Sequence, residues 1–139
     1  MARPASRVVL DTSAFTHLRG GDERVAKAVA DARSVALSVV TLGEIEAGAQ
    51  LGVRAADTRA ALAGFLAAAF VSVLPITPDV ARIYGRVFAE LRRAGTPIGV
   101  NDIWIAASVL ESGAQLVTFD ADFRRVTGLD ALILPVRKR

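Results

Sequence analysis

Short apolar runs alternate along this chain with stretches in which apolar residues recur every three or four positions. RVVLD (7–11) is an apolar, partly β-branched run ending on an acid, and it predicts a strand covered on both faces, with a helix opening behind it at Thr12 or Ser13. Gly20, Gly21 and Asp22 break and recap, and Val25, Ala28, Val29 and Ala32 have helical spacing. VALSVV (35–40) predicts a second strand, and Thr41 a cap for the helix that carries Glu44 to about Gly52. Helix returns from Ala55 to Ala69, followed by the strand VSVLPI (71–76). Thr77 and Pro78 start a long amphipathic helix with Val80, Ile83, Tyr84, Val87, Phe88 and Leu91 on one side, and Gly95 stops it. Asn101 is the expected cap of the helix NDIWIAASVL, which Gly113 ends; QLVTFD (115–120) and LILPV (132–136) complete the pattern as strands. The apolar stretch from Ala61 to Ile76 contains Ser72 and Pro75 and falls short of the ~20 residues a membrane span needs, so it reads as a buried helix running into a strand.

Alternating strands and helices predict a parallel sheet covered on both faces, and such sheets bind ligands beyond the carboxyl ends of their strands. Acids gather there. Asp11 ends the first strand, Asp120 and Asp122 follow the fourth, Asp102 opens the helix that feeds the fourth, and Glu44 lies about one turn into the helix leaving the second. Each has an ordinary reading: Asp102 and Asp11 as helix caps, Asp120 and Asp122 as turn residues, Glu44 and Glu46 as solvated helix acids. Two positions are roughly 200° of helix rotation, so Glu44 and Glu46 cannot face one site, and Glu46 is the solvated one. Trp104, the only tryptophan, either packs under the site or an interface or stacks on a base.

Composition narrows the chemistry. With 139 residues, 53% of them hydrophobic, the chain suits one domain with a generous core. The absence of cysteine removes disulfides, thiolate metal sites and thiol nucleophiles, and fits a reducing, cytoplasmic setting; the short apolar block near the start is too brief for a secretory signal. Net charge is +3, and apart from Lys27 and Lys138 the basic residues are arginines, which suit phosphate and carboxylate partners. Converging carboxylates repel and need a counter-charge. Neither lysine falls near the acids, so a divalent cation is the better candidate, and a carboxylate set without clustered histidine suits Mg²⁺ or Mn²⁺. Such ions typically serve phosphate-ester chemistry, activating a water and polarising the phosphoryl oxygens. The single histidine, His17, reads as a surface or packing residue, and no G-x-S-x-G elbow supports serine hydrolase chemistry.

Four blocks, VVLDTSAF, SVVTLGEIEAGA, IGVNDIWIAA and LVTFDADF, resemble in order and separation the motifs of PIN-domain ribonucleases, most closely the VapC toxins of bacterial toxin-antitoxin pairs. The resemblance covers essentially the whole chain and implies one PIN-like α/β domain over residues 1–139, with a five-stranded parallel sheet in the order 3-2-1-4-5 between helices. It places the catalytic acids at Asp11, Glu44, Asp102 and Asp120, with Asp11, Asp102 and Asp120 on the metal, Asp122 in an auxiliary place, and the hydroxyls of Ser13 and Thr118 supporting the acids. It further implies an Mg²⁺- or Mn²⁺-dependent endoribonuclease toxin, a homodimer, inhibited by a cognate VapB-like antitoxin. Two rivals come from other classes. A receiver-type phosphoacceptor switch needs paired acids after strand 1 and a placed lysine, which VLDTS and the two lysines do not provide. An inactive PIN-like module would bind RNA or protein and keep its acids only as caps.

Overall fold

In a computed structural model, which describes residues 5–137, the first apolar run forms β1 (Arg7–Leu10). Side chains alternate across it: Val8 and Leu10 point into one core, Val9 into the other. Burial on both faces is why the run carries no polar alternation. The remaining strands are β2 (Ser34–Ser38), β3 (Val71–Leu74), β4 (Gln115–Thr118) and β5 (Ala131–Ile133). All neighbours pair parallel in the expected order, β3-β2-β1-β4-β5, with Val8 opposite Val35 on one side and Val9 opposite Leu116 on the other. β1 and β4 are therefore adjacent although more than a hundred residues apart in sequence, and their carboxyl ends open at the same edge.

Among the described residues six α-helices cover the two faces: α1 (Thr12–Arg19), α2 (Glu23–Asp31), α3 (Val39–Leu51), α4 (Ala55–Leu66), α5 (Pro78–Arg93) and α6 (Val100–Ser112). One core packs Val87 and Leu91 of α5 and Ile103, Ile105, Ala106 and Val109 of α6 against Val9, Ala36 and Leu116. The other packs Phe15, Val25 and Ile45 of α1, α2 and α3 against Val8, Leu10, Val35, Leu37 and Val117. Thr77 caps α5 by accepting from Val80 N at 3.2 Å, a bond worth about 1 kcal/mol, with Pro78 at the first helical position. Gly113 closes α6 at φ +68°, the left-handed conformation that favours glycine. No helix of the described residues is long and apolar enough to cross a membrane.

Several local expectations moved. β2 stops at Ser38, whose hydroxyl accepts from Val40 N at 3.1 Å and caps α3. Val39 and Val40 are therefore helical despite their β-branching, and Thr41, expected as the cap, is buried inside the helix. Gly99, not Asn101, is the N-cap of α6, which puts Asn101 and Asp102 in its first turn. α4 ends at Leu66 rather than Ala69, and none of its residues is fully buried, so the Ala-rich helix expected in the interior lies on the outside. Only Leu62, Phe65 and Leu66 pack against the core from it, because alanine presents too little apolar surface to hold the helix deeper. β3, β4 and β5 each end two or three residues short of the apolar runs that predicted them; Pro75 and Pro135, which lack an N–H, lie just beyond two of those ends.

Candidate active site

The carboxyl end of β1 delivers Asp11, 5% exposed, onto the start of α1. Its Oδ1 accepts from Ala14 N at 2.8 Å and from Ser13 Oγ at 2.7 Å, and its Oδ2 accepts from Thr118 Oγ1 at 2.5 Å. Asp11 is thus a helix cap as well as a member of the acid group. Ser13 Oγ in turn accepts from Phe119 N at 3.0 Å, and Thr118 Oγ1 from Asp120 N at 3.0 Å. These two hydroxyls knit the end of β1 to the turn after β4. Burial pushes the Asp11 carboxyl above the usual range, while the bonds from Thr118, Ala14 and Ser13 pull it back.

Asp120 leaves β4 and caps the short 3-10 turn Ala121–Arg125, accepting from Asp122 N at 2.9 Å. Asp122 lies within 3.5 Å of Arg125. From α3, Glu44 accepts from Thr12 Oγ1 at 2.7 Å and sits 3.5 Å from Asn101 Nδ2, so α1 and α6 both hold it. Asp102 differs from all of these. It is half-buried, and among the described residues no hydrogen bond holds its carboxylate down; desolvation first, then the charges of Asp120, Glu44, Asp11 and Asp122, push its pKa up to about 6. That Asp102 feels all four other acids is the electrostatic mark of their convergence.

Among the described residues no three of these carboxylates stand close enough to form a closed metal cage. The donors fit Mg²⁺ or Mn²⁺ nonetheless, because these ions keep several waters and bind through one or two carboxylates rather than through an all-protein cage. The electrostatics fit as well: Asp102 carries an excess of negative surroundings that a cation relieves. Lys27 is spent on Asp31 at 2.8 Å, and Lys138 lies outside the described residues.

Three contributors were not read from the sequence. Thr12 and Asn101 bind Glu44 across 32 and 57 residues, separations at which no local pattern speaks. Arg125 was legible in principle, since Asp122 and Arg125 are three apart in a helical turn. Glu46 and His17 lie as their sequence context predicts, and Trp104 takes one of its two readings. Glu46 points to solvent and pairs with Arg59 at 2.8 Å. His17 packs, its ring 3.7 Å from that of Phe119 and its Nδ1 2.9 Å from Ser13 O. Trp104 packs as well, stacked on Tyr84 with ring centroids 3.9 Å apart.

Known proteins resemble this chain in sequence and fold. The PIN domain family model matches residues 8–129. Ribonuclease VapC5 of Mycobacterium tuberculosis is 35% identical over 121 residues, covering 86% of this chain and 87% of that protein. Among solved structures, VapBC-5 from Mycobacterium tuberculosis superposes with a TM-score of 0.68 at 31% identity, covering 94% of this chain and 99% of that one. VapBC-1 from nontypeable Haemophilus influenzae superposes at 0.77 with 27% identity, covering 91% and 97%. With its acids set at the β1–β4 edge and a sequence aligned along nearly its whole length, the chain belongs to the PIN-domain family and, within it, to the VapC ribonucleases.

Proposed function

We propose that this protein is a metal-dependent endoribonuclease toxin that hydrolyses RNA phosphodiesters, and that Asp11, Glu44, Asp102 and Asp120 carry the reaction. The observation that carries the reading is Asp102, half-buried, without a hydrogen-bond partner for its carboxylate among the described residues, and pushed up to about 6 by burial and four neighbouring acids. A group so placed is poised for a cation rather than for the fold. Asp11, Asp102 and Asp120 together would hold Mg²⁺ or Mn²⁺, directly or through the waters such an ion keeps. When bound, the ion supplies Lewis acidity toward a phosphoryl oxygen and lowers the pKa of a water.

The chain's own groups supply the rest. Ser13 and Thr118 donate to Asp11 and fix the direction of its lone pairs. Glu44, held in place by Thr12 and Asn101, is the carboxylate that would orient the attacking water or take its proton. Asp122 tunes the field from the rim, partly offset by Arg125. His17 is engaged in packing against Phe119, so no histidine base is at hand for attack by the substrate's own 2′-hydroxyl. Cleavage accordingly leaves a 5′-phosphate and a 3′-hydroxyl.

The partner is a VapB-like antitoxin, a reading supported by relatives whose solved structures are VapBC complexes. Leu51 and Val53, 91% and 102% exposed, leave apolar surface at the α3–α4 corner for a protein partner to cover, and the toxin works as a homodimer.

The test is cleavage of RNA by the purified chain in Mn²⁺, in Mg²⁺ and in EDTA, with product ends read by mass spectrometry. Expected are cleavage in either metal, none in EDTA, and 5′-phosphate ends. The ion should also raise the melting temperature of the wild type and not of Asp102→Ala, since it binds the folded state alone. Cleavage that persists in EDTA, or 2′,3′-cyclic ends, overturns the metal-assisted reading.

A further inference from the structure

At the junction of α5 and α6 lies a cavity of about 410 Å³ lined by Phe88, Leu91, Pro97, Ile98 and Ile103 and by Arg92. Its walls are mostly apolar, and Phe88 is 36% exposed. The Arg92 guanidinium lies 5.7 Å from the centre of the Phe88 ring, and among the described residues it pairs with no acid. Arg125, from the turn after β4, touches one wall of the cavity from behind the lining: its Nη1 donates to Pro97 O at 3.1 Å. The same guanidinium is 3.5 Å from Asp122, one of the acids that Asp102 feels. Ile103, which lines the cavity, follows Asp102 directly in α6.

An apolar cavity lined by one arginine, with a second arginine bridging its wall to an acid of the site, has a distinctive ligand chemistry. The acids repel an anionic strand, so a strand that is to be cut needs cations next to them. A planar, weakly polar group attached to phosphates uses both features together: the ring enters the cavity, and the guanidiniums hold the phosphates on either side. Guanidinium forks suit phosphate oxygens, and Arg125 spends only part of its five donors on Pro97 and Asp122.

We propose that the α5–α6 cavity receives an unpaired base of the RNA strand next to the scissile phosphate, with Arg92 and Arg125 holding the flanking phosphates. The inference rests on the ribonuclease reading above and adds to it the cavity and the residues that hold the strand beside the cut.

Tryptophan fluorescence gives a readout apart from cleavage. Trp104, the only tryptophan, stacks on Tyr84, and the Tyr84 ring lies 6.0 Å from that of Phe88. The experiment combines cleavage of a mixed-sequence single-stranded RNA in Mn²⁺, across a range of salt, with titration of the same RNA against Trp104 fluorescence. Arg92→Ala should raise KM about tenfold and leave kcat within about twofold, and Arg125→Ala should raise KM by a similar factor. Each should also make the fall of log(kcat/KM) with log salt shallower by about 0.7, the share of one phosphate contact on a single strand. Phe88→Ala should raise KM without changing that slope, because it removes a wall and no charge. Arg92→Lys and Arg125→Lys keep the charge and should restore the slope, which separates phosphate contact from damage to the fold.

Unchanged KM and slope in both arginine variants overturn the proposal. So does an effect confined to inhibition by the antitoxin, or to the oligomeric state measured by sedimentation, since the cavity would then serve a protein. Should the wild type cleave no RNA, the ribonuclease reading fails separately. Saturable quenching of Trp104 by RNA, lost in Arg92→Ala, would still support the cavity as an RNA site, and its absence would remove it.

Discussion

Asp11 and Asp102 approach the same strand ends from opposite sides and are held in opposite ways. On the β1–β4 side, Asp11 is buried, caps α1 and accepts from both Ser13 and Thr118, so its charge is distributed over three donors that also join two strands. On the α6 side, Asp102 starts a helix that Gly99 caps, half-exposed, with nothing to lower its pKa and four acids to raise it. The first acid is part of the framework. The second is kept at electrostatic cost, and its neighbourhood becomes favourable only when a cation arrives.

Breaking the two acids in turn should separate the two costs. Asp11→Ala and Asp102→Ala should each reduce RNA cleavage by more than about 100-fold, since even outer partners of metal ligands are worth roughly 10–100-fold. Their stabilities should diverge. Asp11→Ala removes an N-cap worth about 1 kcal/mol and the acceptor of two largely buried hydroxyls, a total on the order of 3 kcal/mol in urea denaturation. Asp102→Ala should leave the metal-free protein as stable as the wild type, or more so. Equal losses in the two variants would mean that the two sides of the site are not different in kind.

Thr118→Val sharpens the first half of the comparison. It leaves every carboxylate in place but takes one donor from Asp11 and one acceptor from Asp120 N. Cleavage should drop by roughly 10–100-fold, and the metal concentration giving half-maximal rate should rise. An unchanged metal requirement would show that the hydroxyl serves the fold alone.

The pH dependence sharpens the second half. The folded state raises the Asp102 pKa from 3.8 to about 6, so it favours the neutral carboxyl. That contribution to stability is fully present below about 3.8 and is lost as pH rises through about 6. In metal-free protein, Asp102→Asn should therefore match the wild type near pH 4 and exceed it increasingly up to pH 7 in melting temperature, with most of the change between about pH 4 and 6.5. A constant difference across that range would place the strain elsewhere.

The smallest effect concerns α3, which carries Glu44 between the two sides. Thr41 is wholly buried, and its hydroxyl has no hydrogen-bond partner among the described residues. Thr41→Val removes a buried polar atom without a partner and should be neutral or stabilise by about 1 kcal/mol, with cleavage intact. A clear loss of cleavage would make that hydroxyl part of the site.

Spacing along single elements was legible in the chain before any packing was known. Apolar runs and helical periodicity set the alternation of strands and helices, and with it the edge where ligands belong, because burial on two faces or on one stripe is written into consecutive residues. Helix rotation alone separated Glu44 from Glu46, and the structure sets Glu46 in solvent beside Arg59. Packing settled whatever depends on partners far apart in the chain. Ser38 rather than Thr41 caps α3, because β2 pairs with its neighbours only as far as Ser38 and the chain must turn there. Gly99 rather than Asn101 starts α6, which frees the Asn101 amide to approach Glu44. The difference between Asp11 and Asp102 belongs to the same class: both read as an acid at a helix start. Only the pairing of β1 with β4 brings Thr118 onto one of them, across 107 residues, and leaves the other among like charges. Local propensity governs where an element begins to within a turn, whereas desolvation and charge act through space and are fixed only when the sheet closes.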